Sequence, residues 1–188
     1  EVHFIMKKFR LEHAILLGLF GFLMAIAFTV EYRRVVNYMF GDEAVYYMMA
    51  QSFAYDLDLE YTQKDLGRVY EDGWQAGPQG IFLTKMEDGR IYYSKSFAYS
   101  LLLAPFIALF GFKGFLVLNM LLVFLMILMG AIYLRQFNSP LLSLLVVITF
   151  FLLSASFVYT FWLTPEIFNM FCIMLGLFLW LYQREKSG

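Results

Sequence analysis

Three short stretches carry side chains able to do chemistry. Tyr38–Tyr47 reads YMFGDEAVYY and sets two carboxylates, Asp42 and Glu43, side by side. Ile91–Tyr99 reads IYYSKSFAY and places Lys95 among tyrosines; Phe161–Phe171 reads FWLTPEIFNMF and places Glu166 between two apolar runs. A carboxylate within hydrogen-bond reach of a hydroxyl can serve as its general base. A lysine can carry the charge of a departing phosphate. A carboxylate at membrane depth is costly and marks function. Each residue also has a structural reading. Asp42 and Glu43 can cap the free N–H groups of a helix start. Lys95 can snorkel within an interfacial aromatic belt. Thr164, Pro165 and Glu166 read as N-cap, first helical residue and first-turn acid of a last helix.

The elements that must position these residues are membrane elements. Of the 188 residues 61% are hydrophobic and 20% aromatic, and the mean hydropathy is +0.66. A soluble domain of this size has too little interior for so much apolar surface. Most of the charge lies between Glu31 and Lys95, whereas from Ser96 to Gln183 only Lys113, Arg135 and Glu166 are charged. The sequence therefore predicts an all-α polytopic membrane protein with four or five apolar segments and one large extracytoplasmic loop. Residues 1–13 form a cytoplasmic N-terminus with Lys7, Lys8 and Arg10, and 14–30 the first transmembrane helix, uncleaved because FTVEYRR offers no small-x-small cleavage site. Residues 31–96 are the loop, 97–182 the helical bundle and 183–188 a cytoplasmic tail.

Within the loop, Gly41–Tyr55 places Val45, Met48, Met49, Ser52 and Phe53 on one face at helical spacing, which suits a helix lying flat on the bilayer. Ala76–Gly80 is a turn cluster. Two β-prone runs around Asp88-Gly89 predict a small hairpin. Four apolar stretches follow: Phe97–Phe112, Gly114–Leu134, Pro140–Leu163 and Ile167–Tyr182. The first is short and contains Pro105. If it dips in and returns, four crossings put Lys7, Lys8, Arg10, Arg135, Arg184 and Lys186 on the cytoplasmic side, and Asp42, Glu43, Lys95 and Glu166 on the other.

Other chemistries lack their signatures. His3 and His13 have no ligand partners at zinc-site spacing. No P-loop or Gly-rich nucleotide fingerprint occurs, and no serine-nucleophile signature. No basic cluster suggests nucleic acid, and the single Cys172 cannot form an internal disulfide.

The order of the motifs resembles the N-terminal part of the membrane-embedded GT-C glycosyltransferases, such as protein O-mannosyltransferases and lipid A aminoarabinose transferases. The resemblance runs from Phe9 to about Tyr182, through GDEAVYYMMAQSF, GRIYYSKSFAYSLLLAPFIALFGF, YLRQF and YTFWLTPEIFNMF. It departs where Ser96-Phe97 replaces a proline-containing pair after the lysine, and where Glu166 replaces the usual Asp. It implies a polyprenyl-phosphate sugar donor, Asp42 as general base and Glu43 and Glu166 as residues that orient acceptor or sugar. Lys95 would sit on the lipid phosphate, with Tyr46 and Tyr93 beside it on the substrate. Some members hold a divalent metal, for which Asp42 and Glu166 are the candidate ligands. Because such enzymes are longer, a further membrane chain or a C-terminal half is an expected partner, besides membrane lipids. The resemblance also implies a bacterial or archaeal cytoplasmic membrane with an outward-facing site.

Two other readings stand beside this one. The chain could be a non-catalytic subunit of a membrane complex, with Asp42 and Glu166 as helix caps, or half of a transporter with Glu166 as its proton site. The four-crossing topology predicts that a reporter fused after Arg135 gives a cytoplasmic signal; an extracytoplasmic signal there would refute it.

Overall fold

A computed structural model describes residues 11–32 and 38–187, with side chains as far as 182. Lys7, Lys8, Arg10 and His3, and the side chains of Arg184 and Lys186, lie outside the described residues. The chain is mostly helical: α1 (Leu11–Thr29), β1 (Met39–Phe40), α2 (Gly41–Tyr55), α3 (Gln63–Glu71), β2 (Pro78–Gln79), β3 (Leu83–Lys85), β4 (Ile91–Tyr93), α4 (Ala98–Phe110), α5 (Gly114–Leu134), α6 (Pro140–Leu152), α7 (Ala155–Tyr159) and α8 (Glu166–Ser187). Among the described residues two stretches are long and apolar enough to cross a membrane, Leu11–Thr29 and Ala98–Leu134. Most of the large side chains turned outward from α1, α6 and α8 are apolar, among them Leu17, Phe22, Leu145, Phe150, Ile173 and Trp180. In water such a surface would aggregate; in lipid it costs nothing.

The centre of the fold is α5, which packs against α1, α4, α6 and α8. It runs antiparallel to α1, because polar contacts tie opposite ends of the pair. At one end Arg135 meets Glu12 at 3.2 Å. At the other, Lys113 donates to the Phe28 carbonyl at 2.6 Å and pairs with Glu31 at 3.3 Å. Between them Leu19, Leu23 and Ala27, one stripe at i, i+4, i+8, carry the buried face of α1.

The 37-residue apolar stretch is two helices rather than one. Gly111, at φ 56°, stops α4, and a single 3-10 turn through Lys113 leads into α5. That conformation costs little without a Cβ. Gly114 allows the close return: a Cβ there would lie 2.5 Å from the Phe106 carbonyl oxygen. Helix α4 starts next to Lys95, which pairs with Asp42, and it ends at Phe110, whose ring meets Phe28 at the end of α1. It packs mainly on α2.

Two expectations are corrected here. Helix α2 forms over Gly41–Tyr55 as predicted, but it does not lie flat with one wet face. Every residue from Ala44 to Ser52 is buried. The apolar i, i+3, i+4 set is real, but Tyr46, Tyr47 and Ala50 make the other faces apolar too, and such a helix packs on all sides. The Pro140–Leu163 stretch is likewise not one spanning helix. α6 stops at Leu152 and α7 begins after Ser154. Its 13 residues reach only about 20 Å, short of a hydrocarbon core of about 30 Å. The serines make the break affordable: Ser156 Oγ donates to the Phe151 carbonyl at 3.1 Å, and Ser154 Oγ accepts from the Ser156 N–H.

The polar region builds a small layer over α2. The hairpin forms as read, with Leu83 opposite Tyr93, and Arg90 bonds Asp88 across its turn at 2.6 Å. Within the turn cluster, Pro78 and Gln79 form a short parallel pairing with Met39 and Phe40. Helix α3 was not read from the sequence. Its start is a capping box in which Asp65 accepts from the Thr62 N–H at 2.7 Å, a Thr-x-x-Asp spacing that does signal a helix start.

The close α4–α5 return makes a specific prediction. Gly114→Ala should lower stability by about 1–3 kcal/mol, because backbone rather than a flexible side chain must yield. Gly18→Ala, which meets nothing within 4 Å, should be neutral or slightly stabilising. Thermal unfolding of the two variants in detergent checks the contrast.

Candidate functional site

The head of α2 projects the two carboxylates in different directions, since neighbours on a helix lie about 100° apart. Asp42 turns to Lys95 and pairs with it at 2.8 Å, and both remain partly exposed. The carboxylate raises the lysine pKa, so Lys95 stays charged. Its ammonium also lies 4.6 Å from the centre of the Phe82 ring. The hairpin and α2 together thus hold one ion pair open to solvent.

Glu43 turns inward. Burial raises its pKa, and the Leu163 N–H, which donates to its carboxyl, offsets part of that rise. Leu163 belongs to the non-helical segment between α7 and α8. Three other contacts pin the same segment: Tyr32 donates to the Phe161 carbonyl at 2.6 Å, and Asn119 Nδ2 donates to the carbonyls of Thr160 and Trp162 at 3.1 and 3.2 Å. Asn119 itself is fully buried in α5, and its Oδ1 accepts from Tyr99 at 3.0 Å. Sequence reading passed over Asn119 because it weighed charges only; a lone amide within the 21-residue apolar run was the available signal.

Glu166 opens α8, as expected, but the cap differs. The Pro165 carbonyl accepts the first helical bond, from the Asn169 N–H at 2.8 Å, so Pro165 occupies the N-cap position. Thr164 Oγ1 does not cap; it is buried without a hydrogen-bond partner among the described residues, as is Glu166 Oε2. The proline explains this, because the capping geometry expected of Thr164 places it one residue too early. Glu166 nevertheless lies on the Tyr46 side of the bundle, since Phe168, two residues on, packs at 5.8 Å on Tyr99, which meets Tyr46. The buried Tyr46 feels the charges of Asp42, Lys95 and Glu166, and burial with the Asp42 charge raises its pKa. Its ring meets Tyr99 edge-on at 5.7 Å.

Tyr93 lies elsewhere. Its ring packs at 5.9 Å on Tyr61, and burial followed by the Asp65 charge raises its pKa. It belongs to the cluster under α3, where Arg68 pairs with Asp56 and, at 3.2 Å, with Asp65. So the structure brings Asp42, Lys95, Tyr46, Glu43 and Glu166 around the head of α2 and directs Tyr93 to the other network. Among the described residues no three His, Cys, Asp or Glu side chains gather to hold a cation. Asp42, one of the two candidate ligands, is already paired with the Lys95 ammonium.

Beside this ion pair lies a cavity of about 210 Å³, lined by Glu43, Tyr32, Tyr38, Met39, Phe40, Trp74, Phe112 and Leu163. Trp74 is 2% exposed, and its indole N–H has no partner among the described residues. Sequence reading did not single out Trp74 or Tyr32; nothing in their local context connects positions so far apart in the chain.

No protein family, curated protein or solved structure matches the chain.

The raised pKa of Glu43 sets a testable sign. A carboxyl whose folded pKa exceeds its unfolded value contributes stability at low pH that is lost as pH rises through the folded pKa. Glu43→Gln keeps an oxygen for the Leu163 N–H and removes the buried charge. It should therefore stabilise the protein at pH 7, and the gain over wild type should vanish below the ordinary glutamate value of 4.5. Unfolding temperatures measured across pH 4–8 check this; a gain independent of pH would contradict it.

Proposed function

We propose that the chain is a GT-C-like glycosyltransferase, or the N-terminal portion of one, which transfers a sugar from a polyprenyl-phosphate donor to a lipid, glycan or protein acceptor. One observation carries the reading: the solvent-open Asp42–Lys95 pair at the head of α2, with Glu43 and Glu166 beside it. A base and a phosphate-binding cation must lie on opposite sides of one reacting carbon, and here they touch in the ligand-free protein. The lipid phosphate competes for Lys95 and draws it from Asp42, which frees the carboxylate to accept a proton.

In the transfer step Asp42 takes the proton of the acceptor hydroxyl as that oxygen bonds to the anomeric carbon. The carbon–oxygen bond to phosphate breaks, and its electron pair leaves with the lipid phosphate, whose charge Lys95 balances. Glu43 and Glu166 orient the sugars, and Tyr46 supports the pair from below. The topology that fits has four crossings, by α1, α5, the broken α6–α7 pair and α8, with α4 confined to the outer side of a bacterial or archaeal cytoplasmic membrane. The antiparallel α1–α5 pair supports it, as do the positions of the two ends of α4, beside Asp42 and beside Phe28. A further membrane chain or C-terminal half would complete the acceptor side.

Asp42→Asn should lower transfer about 10²–10⁴-fold in membranes containing the lipid-linked donor. Lys95→Ala should lower it about 10²-fold or more, as loss of a charge-stabilising group does elsewhere. Both variants should stay folded, since the pair is solvent-open. Transfer at wild-type rate in Asp42→Asn would end the assignment of the base.

A further inference from the structure

The cavity beside Glu43 carries a second inference. Its walls are mainly rings. Trp74 and Phe112 meet at 4.8 Å and a tilt of 59°, Tyr32 and Phe112 edge-on at 5.8 Å. Tyr38 and Phe40, 42% and 62% exposed, form the outer rim. The polar groups differ in what they still have to offer. The Tyr32 hydroxyl is already bound to the Phe161 carbonyl, whereas the Trp74 N–H is buried, lines the cavity and has no partner among the described residues. Glu43 adds a carboxyl that lines the cavity and accepts from the Leu163 N–H. A buried donor without an acceptor is rare and marks a place a ligand or water completes.

These features select the ligand. Among the described lining residues the one charged group is the Glu43 carboxyl, which repels phosphate or carboxylate. At about 210 Å³ it is smaller than the roughly 300–1,000 Å³ of sites for drug-sized ligands, so a nucleotide or an oligosaccharide does not fit within it. An isoprenoid would cover the rings but leave the indole N–H unpaired and set a carboxyl against hydrocarbon. A single uncharged sugar ring answers both demands, with a C–H face for the aromatic rings and a hydroxyl edge for a donor and an acceptor.

We propose that this cavity is a monosaccharide site: an uncharged pyranose lies with its C–H face on the rings and its hydroxyls on the Trp74 N–H and the Glu43 carboxyl. Because Glu43 turns away from Lys95 while its neighbour Asp42 pairs with it, the site holds the sugar ring of the acceptor rather than that of the phosphate-linked donor. The acceptor assignment rests on the transferase reading; the binding of a sugar ring does not.

The test uses the full chain in phosphatidylcholine nanodiscs, free of glycoside detergent. Saturation-transfer NMR is recorded with methyl α-D-mannopyranoside and methyl β-D-glucopyranoside as probes, and with cyclohexanol and geraniol as apolar controls. At least one glycoside should bind saturably in the millimolar range and the controls should not displace it. Trp74→Phe, which keeps a ring and removes the N–H, and Glu43→Leu should each weaken binding at least fivefold. Tyr38→Ala, at the exposed rim, should weaken it without touching the core, and it decides the matter if Trp74→Phe fails to fold. Lys85→Ala, on the exposed hairpin, should bind the glycoside as wild type does. The proposal is overturned if neither glycoside binds, if geraniol displaces the bound sugar, or if binding ignores both Trp74→Phe and Tyr38→Ala. The two readings fail separately. Sugar binding in a protein that transfers nothing would remove the transferase and keep the site; Asp42-dependent transfer with no glycoside binding would do the reverse.

Discussion

The backbone between α7 and α8 leaves the helix at the level of the apolar core, and its carbonyls must find donors there. Unsatisfied peptide groups in a water-poor interior are expensive, about 1–3 kcal/mol each. Asn119 meets most of that demand, giving both amide hydrogens to Thr160 and Trp162 while its oxygen takes the Tyr99 hydroxyl. Tyr32 holds Phe161, and the Leu163 N–H reaches Glu43. Four elements are therefore tied to one unwound segment: the chain after α1, the head of α2, α4 and α5. The start of α8, and with it Glu166, is placed by this knot rather than by a side-chain cap.

The same knot explains why the site lies where it does. α5 is clamped to α1 at both ends by polar contacts, which fixes the height of Asn119. α4 packs on α2 as well as on α5, because Gly111 and Gly114 permit a tight reversal between α4 and α5. That packing buries α2 from Ala44 to Ser52 and leaves its two ends in contact with solvent, the first turn with its carboxylates at one and Tyr55 at the other. An apolar helix with an acidic tip then presents its two carboxylates at a rim, one to a lysine and one to a ring-lined cavity. Their adjacency in sequence becomes a division of labour in space, a solvent-open ion pair beside a desolvated acid.

The polar layer over α2 has its own internal logic. Arg68 is held between Asp56 and Asp65, and Asp72 accepts from Tyr47 at 2.5 Å and Gln51 at 2.7 Å. These contacts knit α3 to α2 and take Tyr93 with them. They stabilise the platform on which the hairpin carries Lys95, so the lysine is positioned by a network in which it has no part.

Composition and local pattern alone determined a good deal. The apolar runs, the concentration of charge before Ser96 and the Asp88-Gly89 turn gave a helical chain with membrane-length stretches, a hairpin and the bounds of α2, because these depend on period and on turn chemistry over a few residues. The candidate residues Asp42, Glu43, Lys95 and Glu166 were legible too, since charge beside apolar sequence stands out. Tertiary structure decided the rest. Whether α2 lies flat or is buried depends on what packs on its far faces, which is α4, more than forty residues away. Whether Pro140–Leu163 crosses depends on serines whose bonds exist only once the helix has ended. The meeting of Trp74, Phe112 and Glu43 joins positions across seventy residues, and no local period encodes it. What one residue prefers is written beside it in the chain; what it faces is set by close packing among distant segments, which is known only when they have met.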